Sequence, residues 1–470
     1  MTKARKKIAS YFKKIKRKFK IIISTQAIKC STRSNLITNT SFVLRKNIEP
    51  IRDRTVDNDS ESFHILILPK PGFTEDILDS LDETANFKTY ALDRRLIKAI
   101  YRVFLPIYVD DNNYCLNDPQ LEKKKQTLRE FWIKIIKLML RKEKIDAVIS
   151  GNFAYASEKE MAGAFNELGI PFVILHKENL KSSGRVAFFR ELYSKRRGPF
   201  YGSRILVYNK IERDLQIESG IVASDKVTVT GMPRLDRIYR WRKKQSKLVD
   251  KTSKAKSQVL FFSFGPKTGL PMIPRKTRSG RNIEYEALPS EWADLRWQDL
   301  VKETHRAMFK LAQEYPKIKV VIKAKGGKRQ SADVYQIIQK LGTIPSNLAV
   351  MVGGDPFNLI IKSSVICGFN TTALLEAIAA GKPVVVPWFA EALKEEMQSY
   401  IIDLEDAVEY ADSPQDLVSR LGSYALNPQP PIVNLTKTKT QMLNKWVGNS
   451  DGLAGERVRE ALLNEIHLEK

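Results

Sequence analysis

Short apolar runs alternate along the chain with stretches in which apolar residues return every three or four positions. The first run, Phe63 to Leu68 (FHILIL), stops at Pro69-Lys70-Pro71-Gly72 and reads as a buried strand. A helical pattern around Ile77 to Leu81, a Tyr90 to Leu92 segment and a longer amphipathic helix from about Leu121 to Arg141 follow it. Further strands are expected at Ile145 to Ser150, Pro171 to Leu175, Ile205 to Tyr208 and Val227 to Thr230. The alternation restarts at Val259 to Phe264 (VLFFSF) and continues through Trp297 to Glu314, Lys319 to Ile322, Ala332 to Leu341, Ala349 to Val352 and Phe357 to Lys362. It ends in a compact unit, Val365 to Trp388 (VICGFNTTALLEAIAAGKPVVVPW), that reads as strand, helix, strand. Buried strands separated by helices predict an α/β fold with parallel, doubly wound sheets, occurring twice.

A chain of 470 residues exceeds what one core supports, so two domains of roughly 200 residues each are expected. The pattern divides the chain at 61–240 and 257–425, joined by a basic linker at 241–256. Residues 426–470 read as a tail ending in an amphipathic helix over Gly455 to Ile466. Residues 1–60 read as a basic amphipathic helix followed, from 24 onward, by a Ser-, Thr- and Asn-rich linker. Residues 266–290 are basic and without periodicity, which predicts a mobile loop over a cleft.

Charge adds a partner to this outline. The formal net charge is +26, which points to an anionic surface or ligand. It is concentrated: residues 1–60 hold 16 Lys and Arg against 4 Asp and Glu, and 234–256 hold 10 against 2. Ile8, Phe12, Ile15, Phe19 and Ile22 make one stripe on the first helix, so residues 1–23 are expected to lie on an anionic membrane surface. A solubilising tail or a nucleic-acid arm competes with that reading. No run approaches the ~20 apolar residues that span a bilayer, and Ile21-Ile22-Ile23 is too short for a secretory segment. Cys30, Cys115 and Cys367 have no paired or metal-ligand spacing. The expected location is cytoplasmic, peripheral at the inner face of the membrane.

Candidate chemistry gathers around the last unit. Asn370, Thr371 and Thr372 stand where its helix begins, so free backbone N–H groups and hydroxyls face the strand's carboxyl end, where α/β proteins bind anions; the alternative is a plain buried crossover in which Asn370 and Thr372 only cap the helix. Glu376, one turn on, is placed to take ribose hydroxyls. Gly265 closes the strand that starts the second domain; Lys323 and Lys325, with Gly326-Gly327 after them, suit a phosphate, with a solvated turn as the competing account. Arg234, in Gly231-Met232-Pro233-Arg234-Leu235-Asp236, either reaches a diphosphate or pairs with Asp236. His176 and Glu178 follow a buried strand of the first domain and are the candidate bases. Asp57-Asn58-Asp59 has a metal-binding D-x-D form but no strand before it, and no metal is expected.

Three motifs carry a resemblance: Gly231 to Asp236, Val259 to Gly265, and Gly368 to Glu376 with Gly381-Lys382-Pro383. Together they resemble the GT-B glycosyltransferases, two Rossmann-like domains with a donor cleft between them. The likeness is nearest to bacterial surface-polysaccharide enzymes and CDP-glycerol glycerophosphotransferase-like proteins. It implies transfer of a group from a nucleotide-activated donor, bound as a substrate without a further cofactor or metal, to a carbohydrate or lipid-linked acceptor. The Asn370 to Thr372 loop would then hold the diphosphate and Glu376 the ribose or sugar. Where CDP-using relatives carry Lys-Pro-His-Pro, this chain has Lys323-Ala324-Lys325-Gly326-Gly327, which leaves the base of the nucleotide open. Two other readings stand beside transfer: a nucleic-acid-binding protein, and a nonhydrolysing sugar-nucleotide epimerase, which shares the fold and needs no acceptor.

Overall fold

The computed structural model describes the chain except residues 1–2, 53–61, 82–85, 116–117, 247–256, 277–282, 286–287, 326–327, 431 and 469–470, with backbone alone at 3–14, 52, 246, 274–276, 283–285, 290 and 328–331. The Asp57-Asn58-Asp59 triplet, the Gly326-Gly327 pair and most of the 241–256 linker lie outside the described residues.

The first sheet holds β1 (Ile48–Arg52), β2 (Phe63–Ile67), β3 (Phe87–Leu92), β4 (Ala147–Ser150), β5 (Phe172–Leu175), β6 (Arg204–Val207) and β7 (Val227–Val229). Its order is β1-β3-β2-β4-β5-β6-β7, and only β1 at the edge runs antiparallel. The second domain opens with β8 (Gln258–Phe262). A two-stranded hairpin, β9 (Pro274–Lys276) and β10 (Ile283–Tyr285), interrupts it before β11 (Lys319–Ala324), β12 (Leu348–Val352), β13 (Val365–Gly368), β14 (Val384–Pro387) and β15 (Glu409–Ala411). This second sheet is parallel throughout, in the order β12-β11-β8-β13-β14-β15. β4, β5, β8 and β13 are buried along their whole length, as helices on both faces require. The chain is an α/β protein of two Rossmann-like domains in the GT-B arrangement, with a basic helical extension at its start.

Two expectations are corrected. Residues 24–52 are not a linker: the first helix runs Lys3–Arg33, a second covers Ile37–Arg45, and β1 adds to the sheet edge. Composition misleads here because the polar residues satisfy one another at a helix contact. Ser31 and Thr40 are buried with hydroxyls 2.7 Å apart, and Ile21, Ile28 and Leu44 enter the core. The 266–290 segment is likewise not wholly a loop, since residues 274–276 and 283–285 within it pair as β9 and β10.

The last two helices, Lys437–Val447 and Ala454–Leu468, return to the first domain. Asn209 Nδ2 donates to the Trp446 carbonyl at 2.6 Å, while the Trp446 indole N–H donates to Asp403 O at 2.8 Å, so one residue ties both domains. Gly448 makes this passage possible. Its φ is +57°, and a Cβ there would stand 1.8 Å from the Tyr208 carbonyl oxygen, where no side chain fits.

Candidate active site between the two sheets

Each sheet has one point where its strand order reverses, and there the loops after adjacent strands diverge to leave a crevice. In the second sheet that point lies between β8 and β13, because the chain leaves β8 for β11 and β12 before returning on β8's other side. The crevice is therefore flanked by Ser263–Gly265 and Phe369–Thr371. In the first sheet the corresponding point lies between β2 and β4, flanked by residues 68–72 and 151–155. The candidate residues distribute around these two crevices.

Gly265 donates its amide to Thr268 Oγ1 at 3.0 Å, and nothing stands within 4 Å of the place a Cβ would occupy. Asn370 adopts a left-handed backbone (φ +47°). Its side chain is fully engaged: Nδ2 donates to Tyr400 O at 3.0 Å and Oδ1 accepts from Ile402 N at 2.9 Å. Asn370 thus fixes the 400–402 segment beside the helix start and offers a ligand its backbone rather than its amide. Thr371 caps the Thr372–Ala379 helix, accepting from Ala373 N at 3.3 Å, and Thr372 is half-buried at its first turn. Lys323, buried at the end of β11, donates to Ala324 O at 3.1 Å, and burial lowers its ammonium. Lys325 is exposed.

Glu376 is 2% exposed, and its Oε2 has no hydrogen-bond partner. The nearest cation is Arg234, whose Nη1 lies 3.9 Å from Oε1. Burial drives the carboxyl up to about 7 against the opposing pull of Arg234 and Arg237. Arg234 is held mainly by Asp76 of the first domain, at 3.1 and 2.7 Å from Nε and Nη2. Asp236 is not its partner: that carboxylate accepts from Asn449 Nδ2 and Gly455 N, both at 2.6 Å, and starts the last helix. Arg237, one turn further, forms a two-pronged pair with Asp355 at 3.0 and 2.7 Å. The Arg234–Ser246 helix therefore joins the domains through two arginines, and the buried Tyr208 hydroxyl lies at the same junction, beside Arg234.

The first domain contributes a different set. Lys70, in the turn after β2, donates to the Tyr155 hydroxyl after β4, and the Arg94 guanidinium stacks 3.7 Å from the Tyr155 ring centroid. Arg94 is paired with buried Glu158, which also accepts from Ser150 at 2.5 Å. Burial, and then the neighbouring Lys177, lower the Lys70 ammonium to about 8. Glu178, in the loop after β5, is exposed and lies near Lys70. Burial would raise its carboxyl, but His176, Arg197 and Lys181 outweigh that and hold it low.

His176 has no exposed surface, and its Nε2 lies 3.2 Å from Glu212 Oε1, off the line of a good hydrogen bond. Glu212 is the centre of a buried network: Lys181 donates to Oε2, while Tyr193 (3.0 Å) and Gln216 (2.7 Å) donate to Oε1. Burial opposes its charge, yet Lys181 and His176 bring the carboxyl down to about 2. Lys181 also donates to the Glu178 carbonyl at 2.6 Å, so this network shapes the loop that presents Glu178. Beyond that loop the Ser183–Leu192 helix crosses to the second domain. Gly184 N donates to Ser399 O at 2.8 Å, and the Phe188 and Trp292 rings meet edge to face at 5.2 Å. The two domains are thus bridged twice, by the Arg234 helix and by this one.

Sequence pattern pointed to Arg234 and Glu376 but not to Asp76, Arg237, Asp355, Lys70, Tyr155 or Glu212. The signal for Lys70 and Tyr155 was present, as both follow strands that flank a reversal of order, but that order is not written in local sequence. Among the described residues, no three His, Cys, Asp or Glu side chains are placed to hold a metal.

No protein-family model and no curated protein sequence matches the chain. Among solved structures, the UDP-GlcNAc 2-epimerase of Neisseria meningitidis bound to UDP-GlcNAc is similar at 16% identity, over 86% of this chain and 100% of that one, with a TM-score of 0.45. A putative UDP-N-acetylglucosamine 2-epimerase of Listeria monocytogenes aligns at 11% identity over 86% and 97%, with a TM-score of 0.47. That of Methanocaldococcus jannaschii aligns at 12% over 86% and 99%, with a TM-score of 0.46. These proteins are named as epimerases where the sequence motifs led to the expectation of a glycosyltransferase acting on a surface-polysaccharide or lipid-linked acceptor; that expectation is withdrawn.

Proposed function

We propose that the cleft binds a nucleoside diphosphate sugar and inverts one carbon of the sugar without an acceptor, as a nonhydrolysing epimerase does. The observation that carries the binding half is Glu376: a buried carboxylate with an unpartnered oxygen, one turn inside a helix whose first residues open onto a strand-order reversal. A diphosphate fits the backbone amides at the helix start, and adjacent ribose hydroxyls fit a carboxylate that lacks donors. Two hydroxyls donating to Glu376 would favour its charged form and reverse the effect of burial.

The reaction half rests on the opposite wall. Inversion at a carbon removes a proton from one face and returns one to the other, so it needs a base and an acid rather than a second substrate. Glu178, accessible and held ionised, suits the base; Lys70 and the Tyr155 hydroxyl it contacts suit the acid.

Thermal unfolding with UDP-, CDP-, GDP- and dTDP-linked sugars identifies the ligand, since binding to the native state alone raises stability by mass action. The stabilising ligand is then incubated in D2O with no acceptor. Appearance of an epimer with deuterium at the inverted carbon is the expected result. Stabilisation with neither epimer nor deuterium would remove the epimerase reading and leave the nucleotide site standing.

A further inference from the structure

We propose that the outward face of the first helix is a docking surface for a bilayer containing anionic lipid, independent of the cleft's chemistry. The Lys3–Arg33 helix is continuous, and its later part is fixed to the first domain. Ile21 and Ile28 are 3% and 0% exposed, Lys20 Nζ lies 2.9 Å from Glu49, and Asn47 Nδ2 donates to Ser24 Oγ at 3.0 Å. At about 100° per residue, Phe19, Ile22 and Ile23 fall on the other side of the helix from Ile21 and Ile28. They are 62%, 56% and 67% exposed, so the apolar stripe faces away from the domain rather than into it.

Three large apolar side chains left in water on a helix that is already anchored have no task in folding. Around them the charge is of one sign: residues 1–23 hold ten Lys and Arg and no Asp or Glu, with Lys16 and Lys18 exposed beside Phe19. Cations attract an anionic surface and their stems lie along it while the apolar residues enter the acyl boundary. No described helix is long and apolar enough to cross a membrane, which leaves binding in the interface plane. A nucleic acid answers the cations equally well, but phosphates and base edges give Ile22 and Ile23 nothing to bury against. The bilayer accounts for both halves of the pattern.

The test uses the full chain and a triple variant, Phe19→Ser, Ile22→Ser, Ile23→Ser, in flotation with phosphatidylcholine vesicles with and without phosphatidylglycerol. Because the three side chains are exposed, an unchanged melting temperature and circular dichroism spectrum confirm that the variant is folded. Wild type is expected to float only with the anionic vesicles, and the variant to bind them at least about tenfold more weakly. Failure of wild type to float, equal binding to neutral vesicles, or equal binding by the variant would each overturn the proposal. So would binding to duplex DNA, measured by anisotropy at the same salt, that is tighter than vesicle binding and indifferent to the three substitutions.

Discussion

Glu212 and Glu376 are both fully buried glutamates, on helices that follow parallel strands, yet protein surroundings move them in opposite directions. Glu212 is ringed by Lys181, Tyr193, Gln216 and His176 and is held at about 2; Glu376 has one arginine at 3.9 Å, an oxygen with no partner, and a carboxyl raised to about 7. Burial penalises the charge of each equally in kind. What separates them is the supply of donors. Both Glu212 oxygens have donors and that carboxylate belongs to the fold, whereas Glu376 keeps an oxygen without a donor, which a ligand rich in hydroxyls would supply.

Glu212→Ala is the severest way to break that contrast. It leaves Lys181 buried without its counter-ion and should cost about 3–5 kcal/mol, measured as a drop in the denaturant midpoint. The pH dependence has a definite sign. A carboxyl depressed from 4.5 to about 2 contributes stability that is complete above 4.5 and lost as pH falls toward 2. Wild type should therefore lose stability across that window, and a Glu212→Gln protein should lose less. Equal acid slopes would remove the view of Glu212 as a structural charge.

Glu376→Gln should act in the other direction in the free protein. A carboxyl raised from 4.5 to about 7 binds its proton more tightly when folded, so its contribution declines as pH climbs from 4.5 through 7. At pH 8 the glutamine protein should be more stable than wild type by on the order of 3 kcal/mol, and the difference should vanish below pH 4.5. The same substitution should weaken nucleotide-sugar binding about tenfold or more, at 1.4 kcal/mol per decade. Calorimetry of both proteins at pH 5 and 8, with and without ligand, checks both halves. A variant less stable at pH 8 that binds normally would return Glu376 to the fold.

The contrast also shows what sequence can carry. Glu376 stood out because an acidic residue between Leu375 and Ala377, in an otherwise apolar helix, demands a partner. Arg234 stood out through the turn that contains it. Glu212 was invisible, since Lys181 lies 31 positions away and no local pattern announces their meeting. The two-domain α/β plan was legible because strands buried on both faces leave a periodicity of their own. The order of strands was not, and it decides that Lys70 and Tyr155 share a crevice. Residues 24–52 failed for a third reason: hydroxyls that pair with each other in a helix contact look, one at a time, like hydroxyls in water.

Asn370 lies between the extremes. Its side chain satisfies one donor and one acceptor of the 400–402 segment, and its positive φ suits few residues other than glycine. Asn370→Ala should cost about 1–3 kcal/mol from the lost hydrogen bonds. It should also weaken ligand binding, because the helix start is no longer held against that segment. Asn370→Gly relieves the backbone but not the lost bonds. If the two variants were equally stable, the left-handed conformation would be carrying no cost.

Glu178→Gln should change stability least and activity most, which makes it the sharpest complement to Glu212. The carboxylate touches the cleft rather than the core, and its loop is held from behind through Lys181 and the Glu178 carbonyl, neither of which the substitution alters. The substitution forfeits the attraction of His176, Arg197 and Lys181 for the charge but leaves no buried cation without its main partner, so its cost should stay below that of Glu212→Ala. Loss of a general base, by contrast, lowers turnover about 10²–10⁴-fold. Nucleotide-sugar affinity should stay within about threefold of wild type, because the diphosphate and ribose are assigned to the other domain. The decisive measurement is deuterium incorporation at the inverted carbon beside equilibrium binding of the same ligand. Normal incorporation would move the base elsewhere on the first-domain wall. A parallel loss of binding and turnover would show Glu178 holding the sugar rather than taking its proton.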